Sequence, residues 1–141
     1  MSLLDTEAGK RRILTVEIPV IECYNKDRAD EYKIKLVRHS RGLLLRYALK
    51  PMHNVYQLEM YLSSEYPIEP PETRVITPLD FCPHLMEHQR LCMWRQGSTR
   101  ETNRWDPAKF TSVFAVQAAW RWLACYEVWR DTGEWPLPDA R

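Results

Sequence analysis

The sequence predicts an α+β fold: an antiparallel β-meander of about four strands, a long irregular segment, and a C-terminal helix or helices packed on the sheet. Three observations predict it. Between residues 32 and 62 the chain holds three apolar or alternating segments joined by short connections. Between residues 66 and 107 it gathers most of its prolines. Beyond residue 107 its apolar residues recur at helical spacing.

Residues 1–12 are polar and are read as frayed or as a short helix. Residues 13–24, ILTVEIPVIECY, are rich in β-branched side chains and interrupted by Pro19. An edge or irregular strand is expected there, because proline cannot donate to a ladder. NKDRAD (25–30) reads as a turn. YKIKLV (32–37) alternates apolar and basic residues, LLLRYAL (43–49) follows Arg41-Gly42, and VYQLEMYL (55–62) sets Tyr56, Leu58, Met60 and Leu62 on its more apolar side. Period-two alternation marks strands with one buried face, and short connections make an antiparallel meander the simplest arrangement.

Residues 66–107 carry YPIEPP, TPLDFCPH and RWDP, with one short strand expected at TRVIT (73–77). Phe81, Cys82, Leu85, Leu91, Cys92, Met93, Trp94 and Trp105 make this stretch too apolar for disorder, so it is read as a folded functional loop. Asp106 and Pro107 are expected to open the final helix as N-cap and first helical residue. Phe110, Val113, Phe114, Gln117, Trp120, Ala124 and Val128 then follow at helical spacing, and Trp122, Leu123 and Tyr126 widen the apolar surface. Gly133 is a natural stop.

A length of 141 residues points to one domain spanning 1–141, with 1–12 as a flexible start and 134–141 as a tail. Hydrophobic residues at 45% and charged residues at 28% describe an ordinary globular chain. A net charge of +1 argues against a nucleic-acid partner. No apolar run is long enough to cross a membrane, and the N-terminus lacks a signal-peptide pattern. The expected compartment is the cytoplasm, where Cys23, Cys82, Cys92 and Cys125 are thiols.

A cysteine nucleophile needs thiolate character, access and a donor for the developing oxyanion. Cys92 lies in the proline-rich segment with Arg90, Arg95, Arg100 and Arg104 near it in sequence, and His84 and His88 are close enough to reach it. Spacing alone leaves it between nucleophile and buried structural thiol. Cys82, His84, His88 and Cys92 also form C-x-H-x3-H-x3-C, four ligand types for zinc, but without the paired cysteines that close most structural sites. No metal and no organic cofactor is expected.

Tyr66-Pro67-Ile68-Glu69-Pro70-Pro71 resembles the YPxxPP motif of ubiquitin-conjugating enzymes. In that family an His-Pro-Asn triplet follows, and the catalytic cysteine lies eight residues beyond its asparagine. Here Cys82-Pro83-His84 stands at the triplet position and Cys92 lies eight residues beyond His84. Trp105-Asp106-Pro107 matches the family's tryptophan-x-proline motif, after a slightly longer loop. The resemblance covers about residues 32–130 and implies a UBC-like fold. It departs in two places: His84 replaces the oxyanion-stabilising asparagine, and the usual long first helix is reduced or absent. The stretch Tyr126-Glu127-Val128-Trp129-Arg130-Asp131-Thr132-Gly133-Glu134-Trp135 is similar to bacterial ubiquitin-conjugating-like proteins of antiphage operons, and favours those of the cyclic-oligonucleotide signalling (CBASS) type over the bacterial ubiquitin-like operons.

The resemblance implies a transferase that holds a protein C-terminus as a thioester on Cys92. His84 is then an oxyanion donor or acid/base group, with Trp105, His88 and Cys82 supporting the groove. The implied partners are an activating enzyme and a cargo C-terminus. The cargo is a cyclic GMP–AMP synthase-like nucleotidyltransferase in the CBASS case and a small ubiquitin-like protein in the other. A non-catalytic RWD-like binding module shares the YPxxxP turn and sheet, and Cys92 at the right spacing argues against it.

Overall fold

A computed structural model describes residues 2–40, 42–94 and 104–136. Four strands form one antiparallel sheet in the order β1-β2-β3-β4: Lys35–His39, Gly42–Leu49, Tyr56–Leu62 and Glu72–Val75. The chain is therefore α+β, with the expected meander.

The β2–β3 register explains why these segments pair. Leu43 faces Leu62, Leu45 faces Met60, Tyr47 faces Leu58 and Leu49 faces Tyr56, and every one of these side chains is buried. On the other face Leu44 pairs with Tyr61, Arg46 with Glu59 and Ala48 with Gln57, and Glu59 faces Arg74 on β4. Alternation therefore sends one set into the main core and puts a charged ladder on the opposite face, where Leu44 and Ala48 on either side of Arg46 are also buried. Glu59 accepts from Arg46 Nε at 2.8 Å and from Arg74 Nη2 at 3.1 Å. A slip of one residue would bury that ladder, so the register is strongly specified.

The N-terminal expectation is overturned. Residues 13–24 are helical, and the long first helix is present in broken form. It comprises α1 (Glu7–Arg12), a π turn (Ile13–Glu17) and α2 (Ile18–Asn25). Thr6 caps α1 by accepting from the Gly9 amide at 3.0 Å. Gly9 passes so close to the Leu3 carbonyl that an added Cβ would lie 1.9 Å from it. The Ile18 amide reaches back to Ile13 O, and Pro19 sits in the first turn of α2, where a missing N–H costs little. Gly9, Ile13, Glu17 and Ile21 make one buried stripe at four-residue spacing. Packing of that stripe outweighs the β preference of the branched residues. The Asn25 side chain then brackets Ile34, accepting its N–H at 2.7 Å and donating to its carbonyl at 2.9 Å, which ties α2 to the start of β1.

The long C-terminal helix α3 spans Ser112–Thr132 and begins later than expected. Asp106 caps only a single turn, where its side chain accepts from the Ala108 amide at 3.0 Å. Thr111 is the N-cap of α3, accepting from the Phe114 amide at 3.3 Å. Its buried face is also not the expected one. Ala115, Val116, Ala119, Trp122, Leu123 and Tyr126 are buried, whereas Phe114 and Trp120 are exposed. Ala115 and Ala119, both fully buried, keep the packed face of α3 thin, and its backbone comes close to α2. Gly133 ends α3 in the left-handed region at φ 79°, with its N–H on Trp129 O. No helix among the described residues is long and apolar enough to cross a membrane.

One carboxylate joins the three parts. Glu17 is fully buried, and both of its oxygens are occupied: Oε2 accepts from Arg12 Nε at 2.8 Å and Tyr66 OH at 2.7 Å, and Oε1 from the Ser112 amide at 2.9 Å and hydroxyl at 2.6 Å. A negative group at the start of α3 also faces the positive end of its dipole.

Candidate functional site

Cys92 is half-buried at the end of a segment docked on the outer edge of β4. The Leu91 amide donates to Thr73 O at 2.9 Å, and Arg90 bridges to Arg74. Leu91 is buried in the core. This strand-like anchor fixes the backbone on one side of Cys92.

The other side is fixed by His84. The Cys92 amide donates to the His84 carbonyl at 3.0 Å, and Leu85 bridges antiparallel to Leu91. Residues 84–92 thus close as a small hairpin whose two ends are the candidate nucleophile and the candidate donor. His84 holds φ at 61°, in the left-handed region. Asparagine and histidine are among the few non-glycine residues that tolerate it. Its imidazole packs on Trp135, with ring centroids 5.1 Å apart.

Gln89 locks the hairpin to the strand behind it. Its side-chain oxygen accepts from the Leu79 amide at 2.8 Å, and its amide donates to Val75 O at 2.8 Å and Thr77 O at 2.9 Å. The preceding segment is held by α3. The Asp80 amide donates to Tyr126 OH at 2.7 Å, and Arg130 pairs with the Asp80 carboxylate at 3.1 Å.

Cys82 lies inside this bracket and is buried. Burial first, and the Asp80 charge second, push its thiol up to about 11. It is therefore a protonated packing group near neutral pH. His88 is exposed on the turn Glu87–Gln89, and lines a cavity of about 270 Å³ on the open face of the sheet with Leu44, Tyr61, Arg74 and Arg90. Arg90 is engaged by Glu72 at 2.9 Å. Among the described residues no three His, Cys, Asp or Glu side chains gather as metal ligands. Arg95 and Arg100 lie outside the described residues.

Trp105 does not stand alone as a wall. Its indole N–H donates to Pro67 O at 2.7 Å, and its ring packs on Trp94 at 5.2 Å, Phe110 at 5.6 Å and Tyr66 at 6.1 Å. Phe110 stacks on Phe114 at 3.9 Å. Trp94 and Trp105 are eleven residues apart in sequence and meet ring to ring. The YPIEPP turn, the stretch after Cys92 and the WDP turn are thereby gathered into one aromatic cluster.

The sequence model of type II CBASS E2 proteins matches residues 22–141. The chain belongs to the type II CBASS E2 family. Its role is accordingly E2-like, within CBASS defence, alongside partner proteins of that system. No curated protein matches the chain.

Two features of this candidate site escaped sequence reasoning. Gln89 is a polar residue in a loop, and nothing local distinguishes a clasp from a solvated side chain. Trp135 falls by sequence in a short tail. Its one signal was Gly133, two residues earlier, which reverses the chain and allows the ring to return.

Proposed function

We propose that Cys92 carries the carboxyl terminus of a CBASS partner protein as a thioester and passes it to an amine, with the nucleotidyltransferase as the favoured cargo. The observation that carries this reading is the closed hairpin that sets Cys92 and His84 back to back, beside a thiol, Cys82, that is itself disqualified by burial. Family membership supports it.

In the first step the Cys92 thiolate attacks the carbonyl carbon of an activated thioester. A new C–S bond forms, the oxyanion collapses, and the activating enzyme's thiolate leaves. In the second step an acceptor amine attacks, the C–N bond forms, the Cys92 C–S bond breaks, and the amine's proton passes to the departing sulfur. Exchange between thioesters changes little in energy, so the protein contributes orientation and a donor for the oxyanion. A neutral His84 imidazole has one N–H to donate to the oxyanion, and its other ring nitrogen can accept a proton. The anchored backbone around Cys92 and His84 supplies preorganisation.

The test is a non-reducing gel of the chain with activating enzyme, cargo and ATP. A thiol-sensitive adduct that disappears in Cys92→Ala is expected, and Cys92→Lys should give a thiol-resistant one. No adduct, together with unchanged partner binding by Cys92→Ala, would point instead to a binding module.

A further inference from the structure

The structure assigns Trp135 as a positioning residue that holds the His84 imidazole in the attitude from which it serves Cys92. This rests on the reading of His84 given above. The His84 backbone is set by the Cys92 hydrogen bond and its left-handed φ. The backbone does not set rotation about its side-chain bonds, and a ring against its side restricts that rotation.

Trp135 is that ring, at 5.1 Å and 58°. It is itself backed by Trp122, at 5.1 Å and 64°. Trp122 is buried and stacks on Tyr126 at 6.0 Å and 12°. Tyr126 in turn accepts the Asp80 N–H. The contacts therefore close on themselves: Asp80, Tyr126, Trp122, Trp135 and His84 form a bracket around the segment 80–84. One end is held by a hydrogen bond, the other by a ring. Edge-to-face and tilted pairs at these distances are attractive and directional. Trp135 is reached only because Gly133 turns the chain back, at a φ that a side chain would strain.

The experiment compares Trp135→Ala and Trp135→Phe, each alone and combined with His84→Ala. The readouts are the saturating rate of Cys92 charging and the cargo concentration at half-saturation. Trp135→Ala should lower the saturating rate about tenfold with half-saturation unchanged, in keeping with loss of a positioned donor or acid–base group. Trp135→Phe should recover most of that rate. In the His84→Ala background Trp135→Ala should cost less than about twofold, because the two residues act as one unit. An equal loss in both backgrounds would overturn the proposal, as would a loss confined to half-saturation. The carbon-bound imidazole protons of His84 give a second reading by NMR. They should be shifted by the indole ring current in the native chain and return towards ordinary values in Trp135→Ala. Unchanged shifts would also overturn it. If the native chain forms no adduct at all, the functional reading falls, and the NMR shifts alone decide whether Trp135 holds the ring.

Discussion

The amide of Cys92 donates to the carbonyl of His84 at 3.0 Å, so the eight-residue spacing between them is the length of a closed hairpin. The hairpin places His84 at a φ of 61°. This explains how a histidine stands where the resembling family has asparagine, since both residues tolerate the left-handed region. A β-branched residue does not. His84→Asn should therefore fold with a small loss of stability, and His84→Val should be less stable than His84→Asn by about 1–2 kcal/mol. Urea denaturation of the two variants measures this, and equal midpoints would contradict it.

Thiol reactivity should separate the four cysteines by environment. Cys23 is exposed and Cys92 half-buried, whereas Cys82 and Cys125 are buried. Burial pushes Cys82 up to about 11 and also raises Cys125. Iodoacetamide at pH 8 should label Cys23 and Cys92 in the native chain, and Cys82 and Cys125 only after unfolding. Peptide mass spectrometry over a time course distinguishes the two pairs.

Glu17 holds four donors from three parts of the chain. Glu17→Ala would leave Arg12, the Tyr66 hydroxyl and the Ser112 donors without their acceptor in a buried site. A loss of about 3–5 kcal/mol is expected, the range for removing one partner of a buried charged network. Glu17 also lies ahead of residue 22, where the family match begins. A chain starting there would also lose buried Leu3, Ile13 and Ile21, and should be destabilised more than Glu17→Ala, as read from its thermal midpoint.

Glu59 provides a pH-dependent contribution. Partial burial opposes its charge, but the hydrogen bonds and charges of Arg46 and Arg74 outweigh that and hold its carboxyl below the ordinary value. A lowered folded-state pKa means that the stabilisation is complete above the unfolded-state value of about 4.3 and is lost as pH falls through the folded value. The stability difference between the native chain and Glu59→Gln should be constant from pH 7 to about pH 5 and shrink below it. A difference that persists at pH 3 would show that the ladder does not act through charge.

The strands were legible because alternation survives in the sequence: Tyr56, Leu58, Met60 and Leu62 are all buried. The N-terminal helix was not. Its buried stripe runs Ile13, Glu17, Ile21, and the carboxylate at its centre breaks the hydrophobic period that would have announced it. Pro19 and the branched side chains then argued locally for a strand. The start of α3 was misplaced for a related reason. Asp106 and Thr111 are both good caps, and only packing decides which one opens the long helix. At the site, the pairing of Cys92 with His84 was legible as spacing. The cluster of Trp94 with Trp105 and the return of Trp135 were not, because rings far apart in sequence meet only once the turns between them are formed.

The reversal at Gly133 also decides what stands beside the His84 loop. Residue 136 follows directly on the ring that touches His84, whereas Ser2 approaches the Gly42 turn between β1 and β2. An insertion between Gly133 and Trp135 would displace the ring from His84 while leaving the buried face of α3 in place.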